Sequence, residues 1–248
     1  MNYNDNNPMS YSVREGAVSY DMGLRAYMLT IYNYMASALA LTGLTAYAAA
    51  YYEPLKNALY TMNGAHMGMT GLGMLVTFAP LAFVLVMSLG LNSLSVVALQ
   101  ATYWAFAAVM GLSLSSIFFV YTGASIVRVF FITAILFGSM SLWGYSSKRD
   151  LTGMGHFLMM GLWGIVLASI VNIFMHSSPL QMAISILGVI IFTGLTAYDT
   201  QKIKAIYYQT AGSAVAAGKT AIMGALTLYL DFINLFIMLL RFFGDRRD

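Results

Sequence analysis

From Leu24 onward the chain is a succession of long apolar runs separated by short polar breaks. A helix that crosses a bilayer needs about 20 mostly apolar residues. Seven stretches meet that length, roughly 26–48, 71–91, 95–121, 126–146, 154–175, 180–206 and 220–243. The two longest breaks are 49–70, which carries Glu53, Pro54 and Lys56, and the Gly/Ala-rich 207–219. No linker, soluble domain or internal repeat interrupts the series. The pattern predicts one all-α polytopic bundle of seven transmembrane helices over residues 24–248. The polar segment 1–23 has no apolar run ahead of a cleavage site, so it reads as a solvated, mobile tail and the first span directs insertion.

Composition supports the same solvent. Hydrophobic residues make up 60% of the 248 and charged residues 8%, against about 25% charged in a soluble domain. The mean hydropathy is +0.75. The net charge of +3 is small, and its positives lie in short loops and at the ends. That distribution is a topology signal and gives no basis for a nucleic-acid partner. With no cysteine there is no disulfide, thiol or Cys-based metal chemistry.

With a cytoplasmic N-terminus, the inner side holds Arg14, Arg25, Lys148, Arg149, Lys202, Lys204 and Lys219, and the outer side Lys56, Arg128, Arg241, Arg246 and Arg247. This orientation is the better fit to the positive-inside rule. A re-entrant last segment would bring the basic end "RFFGDRRD" inside and sharpen the bias, yet 220–243 is long enough to cross. The side of the C-terminus is therefore open. Tyr51, Tyr52, Tyr207, Tyr208, Phe242 and Phe243 sit where interfacial belts belong. Pro80 predicts a kink in the second span, and Gly161 with Gly164 would let the fifth approach a neighbour.

Two acids break the rule that the span cores are uncharged: Asp199 on the sixth and Asp231 on the seventh. Each costs about 2.5–3.5 kcal/mol at a helix centre, so such residues face the bundle interior and serve ion or proton pathways. Counting from the expected membrane edges at Tyr207–Tyr208 and Lys219, the two depths differ by about 5 Å at 1.5 Å per residue. Antiparallel neighbours at that offset allow the carboxyl groups to meet. Two carboxylates in a low-dielectric site do not both ionise cheaply, so a pair would share a proton, bridged at lower pH and repelling when both are charged. Repulsion would displace one helix against the other or attract a hard cation such as calcium, which takes carboxylate and carbonyl oxygens. Asn234 and Thr227 share the face of Asp231, while Thr196 and Lys202 flank Asp199. They are expected as hydrogen-bond or packing support, and Lys202 also as a snorkelling residue.

Other readings of these residues fail. An intramembrane aspartyl protease shares the Tyr198-Asp199 pair, but Asp231 follows Leu228-Tyr229-Leu230 where a GxGD motif is required, and no proline lies beyond Pro179. A retinal receptor needs a lysine in the middle of the last helix, and Lys219 is at its edge. His66, His156 and His176 are too scattered for zinc. Ser113, Ser115 and Ser116 are polar packing groups. Neither an enzyme nor a resident cofactor is expected.

The chain resembles the Bax-inhibitor family, the transmembrane Bax inhibitor motif proteins. The resemblance rests on "FTGLTAYDTQKIK" (192–204) and "GALTLYLDFINLFIMLLR" (224–241), with support from "GLSLSSIFFVYTGASI" (111–126) and "FGSMSLWGYSSKRDLTGMG" (137–155). It implies a seven-helix fold whose last helix is central and wrapped by the others, and a pH-sensitive calcium leak governed by a di-aspartyl pair, with Asp199 and Asp231 at the matching positions. The size and the polar tail look like bacterial members, which implies the inner membrane. Eukaryotic relatives suppress cell death at the endoplasmic reticulum, and some bacterial ones are linked to a membrane-bound AAA-type protease. The alternative is a non-conducting regulator that binds a membrane protease or other partner, with the aspartates as a structural clamp. One departure stands out: family members can carry a charge on helix two that joins the latch, and 71–91 has none. Arg25 is the candidate to supply the missing cation, against its plainer role as a topology anchor.

Overall fold

A computed structural model describes residues 8–63, 66–210 and 212–247. Its elements in chain order are α1 (Pro8–Tyr51), α2 (Glu53–Leu59), β1 (Tyr60–Asn63), β2 (His66–Met69), α3 (Gly71–Leu89), α4 (Val96–Leu114), α5 (Ile117–Val120), α6 (Gly123–Ser146), α7 (Thr152–Met175), α8 (Ser178–Thr210) and α9 (Ala214–Phe243). The protein is an all-α polytopic membrane protein.

Among the described residues, six helical stretches rather than seven are long and apolar enough to cross: α3, α4 with α5, α6, α7, α8 and α9. The expected first span, 26–48, lies within α1 but is the least apolar of the series, because Tyr27, Tyr32, Asn33 and Tyr34 interrupt it. It is nonetheless built into the bundle, with Ile31 and Ala38 fully buried. α1 begins at Pro8, so part of the segment expected as a tail continues the helix; residues 1–7 of that segment lie outside the described residues.

The end caps follow from local chemistry. Thr70, Ser95, Thr122 and Ser213 each accept a hydrogen bond from a backbone N–H in the first turn of α3, α4, α6 and α9. The break 49–70 holds the antiparallel pair β1–β2, with Tyr60 opposite Met69, which the hydrophobic pattern did not disclose. The Tyr60 hydroxyl anchors it to Ser115 Oγ at 2.8 Å. The run 95–121 is broken at Ser115–Ser116, between α4 and α5. α3 continues through Pro80.

The core follows one helix. Of the most apolar window of α9, 72% is buried, against 17% for α3 and 11% for α7. α9 packs on α8, α1, α6 and α4; α7 packs on α8 and α3 on α4, at the periphery. The expectation of a central last helix matches this burial. α9 is also unbroken, and its end emerges beside the far end of α1. There Thr122 N–H donates to Asp245 O at 3.0 Å and an Arg247 guanidinium N–H donates to the Tyr51 hydroxyl at 3.2 Å. The segment crosses the bundle and is not re-entrant.

Candidate functional site

The close packing of α8 begins with small residues. A Cβ on Gly144 of α6 would collide with the backbone of Ala197, and one on Gly155 of α7 with the ring of Tyr198. α6 and α7 therefore clasp α8 two residues and one residue, respectively, before Asp199. On the opposite face α8 meets α9: Gly224 lies against Ile203, and Gly188 against Met238. Pairing 224 with 203 sets 228 level with 199, three residues from 231, or about 4.5 Å along the axis. That offset is close to the one expected from the sequence.

Asp231 is 5% exposed and Asp199 half-buried. Their carboxyl groups lie within hydrogen-bonding reach of each other. Asp231 Oδ2 is fully buried and finds no N–H or O–H donor among the described residues. Two ionised carboxylates cannot donate to one another, so this contact is a hydrogen bond only when the pair holds a proton.

The supporting residues are placed as follows. Thr227 Oγ1 donates to Met223 O at 3.1 Å, Thr196 Oγ1 to Phe192 O at 2.7 Å and Asn234 Nδ2 to Leu230 O at 2.8 Å. All three satisfy their own helix, so they shape the site without donating to either carboxyl. The exposed Lys202 is the cation acting on Asp199, and its ammonium lies 6.0 Å from the centre of the Tyr198 ring. Arg25 is exposed on α1 and is not among the groups acting on either carboxyl. Among the described residues no group of three or more His, Cys, Asp or Glu side chains gathers to hold a metal ion. Two carboxyls offer a cation four oxygens, fewer than the six to eight that calcium takes.

Sequence reasoning missed a hydroxyl seam beside the pair. The Tyr32 hydroxyl of α1 bonds Ser141 Oγ of α6 at 2.7 Å, which bonds Thr200 Oγ1 of α8 at 2.9 Å. A second contact, Tyr229 hydroxyl to Thr42 Oγ1 at 2.7 Å, ties α9 to α1. The available signal was the spacing of Thr196 and Thr200, which places both hydroxyls on one face of α8. At the end of the bundle that holds the α8–α9 connection, Lys204 Nζ donates to Tyr145 O at 2.9 Å and Lys219 Nζ to Leu91 O at 2.9 Å. Lys204 supplies a donor to a carbonyl in the last turn of α6, of the kind that helix ends leave open, and Lys219 supplies one to the turn that follows α3.

Comparison with known proteins gives a consistent set. The family model described as Inhibitor of apoptosis-promoting Bax1 matches residues 24–248. An uncharacterized protein of Rickettsia prowazekii is 48% identical over 230 residues, 93% of this chain and 94% of that protein. The inner membrane protein YbhL of Escherichia coli K12 is 47% identical over 226 residues, 91% of this chain and 94% of its own. An uncharacterized membrane protein of Streptococcus pyogenes is 34% identical over 224 residues, covering 90% and 94%.

Proposed function

As this chain belongs to the Bax inhibitor family, we propose that it is a pH-sensitive, calcium-permeable leak in a bacterial inner membrane, gated by Asp199 and Asp231. The observation that carries this reading is the buried Asp231 carboxyl, which lies beside the Asp199 carboxyl and whose Oδ2 has no hydrogen-bond donor among the described residues. Seven membrane-crossing helices, with α1 as the first and its N-terminus cytoplasmic, complete the proposed topology.

The gate works through one proton. At lower pH the two carboxyls share it and the bridge holds α8 on α9. As pH rises the proton leaves, two negative charges face each other at low dielectric, and the bridge becomes repulsion. The same two charges attract a hard cation. Calcium passes as cargo, with carbonyl oxygens and water completing its shell, and no resident metal is required. Lys202 sets the electrostatic approach to Asp199.

Calcium uptake into proteoliposomes tests this. Wild-type flux is expected to rise with pH, and Asp199→Asn or Asp231→Asn to abolish that response. Unchanged pH dependence in both variants would refute the gate. The competing role, a non-conducting regulator that binds a membrane protease or other partner, predicts no flux at any pH and co-purification with that partner.

A further inference from the structure

The far end of the bundle, away from the aspartates, carries an arginine-lined vestibule that the leak does not use. A cavity of about 350 Å³ lies between the start of α8 and the end of α9, and is lined by Ser178, Gln181, Ser185, Arg241 and Arg246. Arg241 and Gln181 also line adjoining cavities of about 320 and 270 Å³, the second of which adds Ser169 and Asn172. Among the described residues, no acid lines any of the three. The nearest acid along the chain, Asp245, is turned away. Its carboxylate meets Arg128 at 3.5 Å and its backbone N–H donates to Ser125 Oγ at 2.9 Å, both on α6. Among the described residues, the Arg241 and Arg246 guanidinium groups have no ion-pair or hydrogen-bond partner.

We infer that this vestibule binds a phosphate group. A guanidinium presents a planar fork that matches phosphate oxygens two at a time. Two such forks, with hydroxyl and amide donors beside them and no carboxylate of the described residues in competition, make a donor-rich site. The start of α8 adds partial positive charge from the same direction. Depth indicates where the phosphate comes from. Phe242 and Phe243 are exposed at the end of α9, and Tyr47, Tyr51 and Phe118 cluster at the same end. Such an aromatic belt marks the headgroup layer, where phospholipid phosphates are concentrated. A phospholipid headgroup and free phosphate share the required chemistry, and the experiment separates them.

The test is thermal stability of the purified full chain in a phosphate-free maltoside detergent. Three additions are compared: inorganic phosphate, phosphatidylglycerol, and a galactolipid with the same acyl chains but no phosphate. Phosphatidylglycerol is expected to stabilise the wild type well beyond the galactolipid. Arg241→Gln with Arg246→Gln should shift the half-saturating concentration at least about tenfold, as the loss of charge-assisted hydrogen bonds implies. Lys56→Gln, a remote cation at the same end, should shift nothing. Stabilisation by inorganic phosphate alone, lost in the same variants, identifies free phosphate as the source; its failure beside a lipid response identifies the headgroup. Arg246→Gln alone, in the exposed tail, gives the same reading should the double variant not assemble. The inference is overturned if the galactolipid equals phosphatidylglycerol, if the variants respond like the wild type, if Lys56→Gln weakens binding equally, or if no phosphate compound stabilises. None of these outcomes bears on the calcium flux test.

Discussion

A buried carboxyl oxygen without an N–H or O–H donor is satisfied only by a proton or a cation, and among the described residues Asp231 Oδ2 has no donor, on a carboxyl that lies beside Asp199. Replacing Asp231 with Asn tests what the proton does. The Asn amide donates to the Asp199 carboxylate without a proton to lose, so the bridge persists at every pH. Wild-type thermal stability is expected to fall as pH rises from acid to mildly alkaline, while Asp231→Asn stays level; parallel curves would separate the pair from stability. The two aspartates were legible in the sequence because a charge inside an apolar run is costly and rare. Their neighbours were less so. Periodicity puts Thr196, Thr227 and Asn234 on the right faces, but it does not reveal that each donates to the carbonyl four residues back. The Tyr32–Ser141–Thr200 seam joins three helices and so had no local signature.

Between elements, small residues set the distances on which the site depends. Gly144 lies against the backbone of Ala197, so Gly144→Val forces α6 away from α8. Overpacking of this kind costs about 1–3 kcal/mol. Gly138 on the same helix has open space around it, and Gly138→Val is expected to be neutral in the same melting assay. Equal effects at both positions would locate the loss in helix propensity rather than in the α6–α8 contact. The lysines at the α8–α9 end act differently. Lys204→Met removes a donor from Tyr145 O, and should raise amide exchange over residues 143–147 while leaving α9 protected; unchanged exchange there would show that the bond holds nothing. The apolar runs foretold α3, α6, α7 and α8 to within a few residues, and the end of α9, which begins six residues earlier than its run. They did not foretell the break at Ser115–Ser116 or the strands β1 and β2, because both are set by contacts with distant residues, such as Tyr60 with Ser115.

At the scale of the whole molecule, α9 is the axis, and α3 and α7 lie outermost, packed on α4 and α8. Composition alone fixed the solvent and the class. It overstated the evenness of the spans, since α1 carries polar and aromatic residues among its buried ones and falls below the other six in hydropathy. Charge counting could not place the last segment, because Arg241, Arg246 and Arg247 lie at the end poorest in lysine. The unbroken helix and the tail bonds to Tyr51, Tyr121 and Thr122 place it. The account turns on the proton shared between Asp199 and Asp231. Infrared difference spectroscopy of the protein in vesicles, with pH raised stepwise, observes that proton through the carboxylic C=O stretch. The account predicts a protonated-carboxyl band that is lost over the same pH interval in which calcium flux rises, and that is missing from both Asp199→Asn and Asp231→Asn. A band that survives in both variants, or flux that rises while the band stays constant, would contradict it.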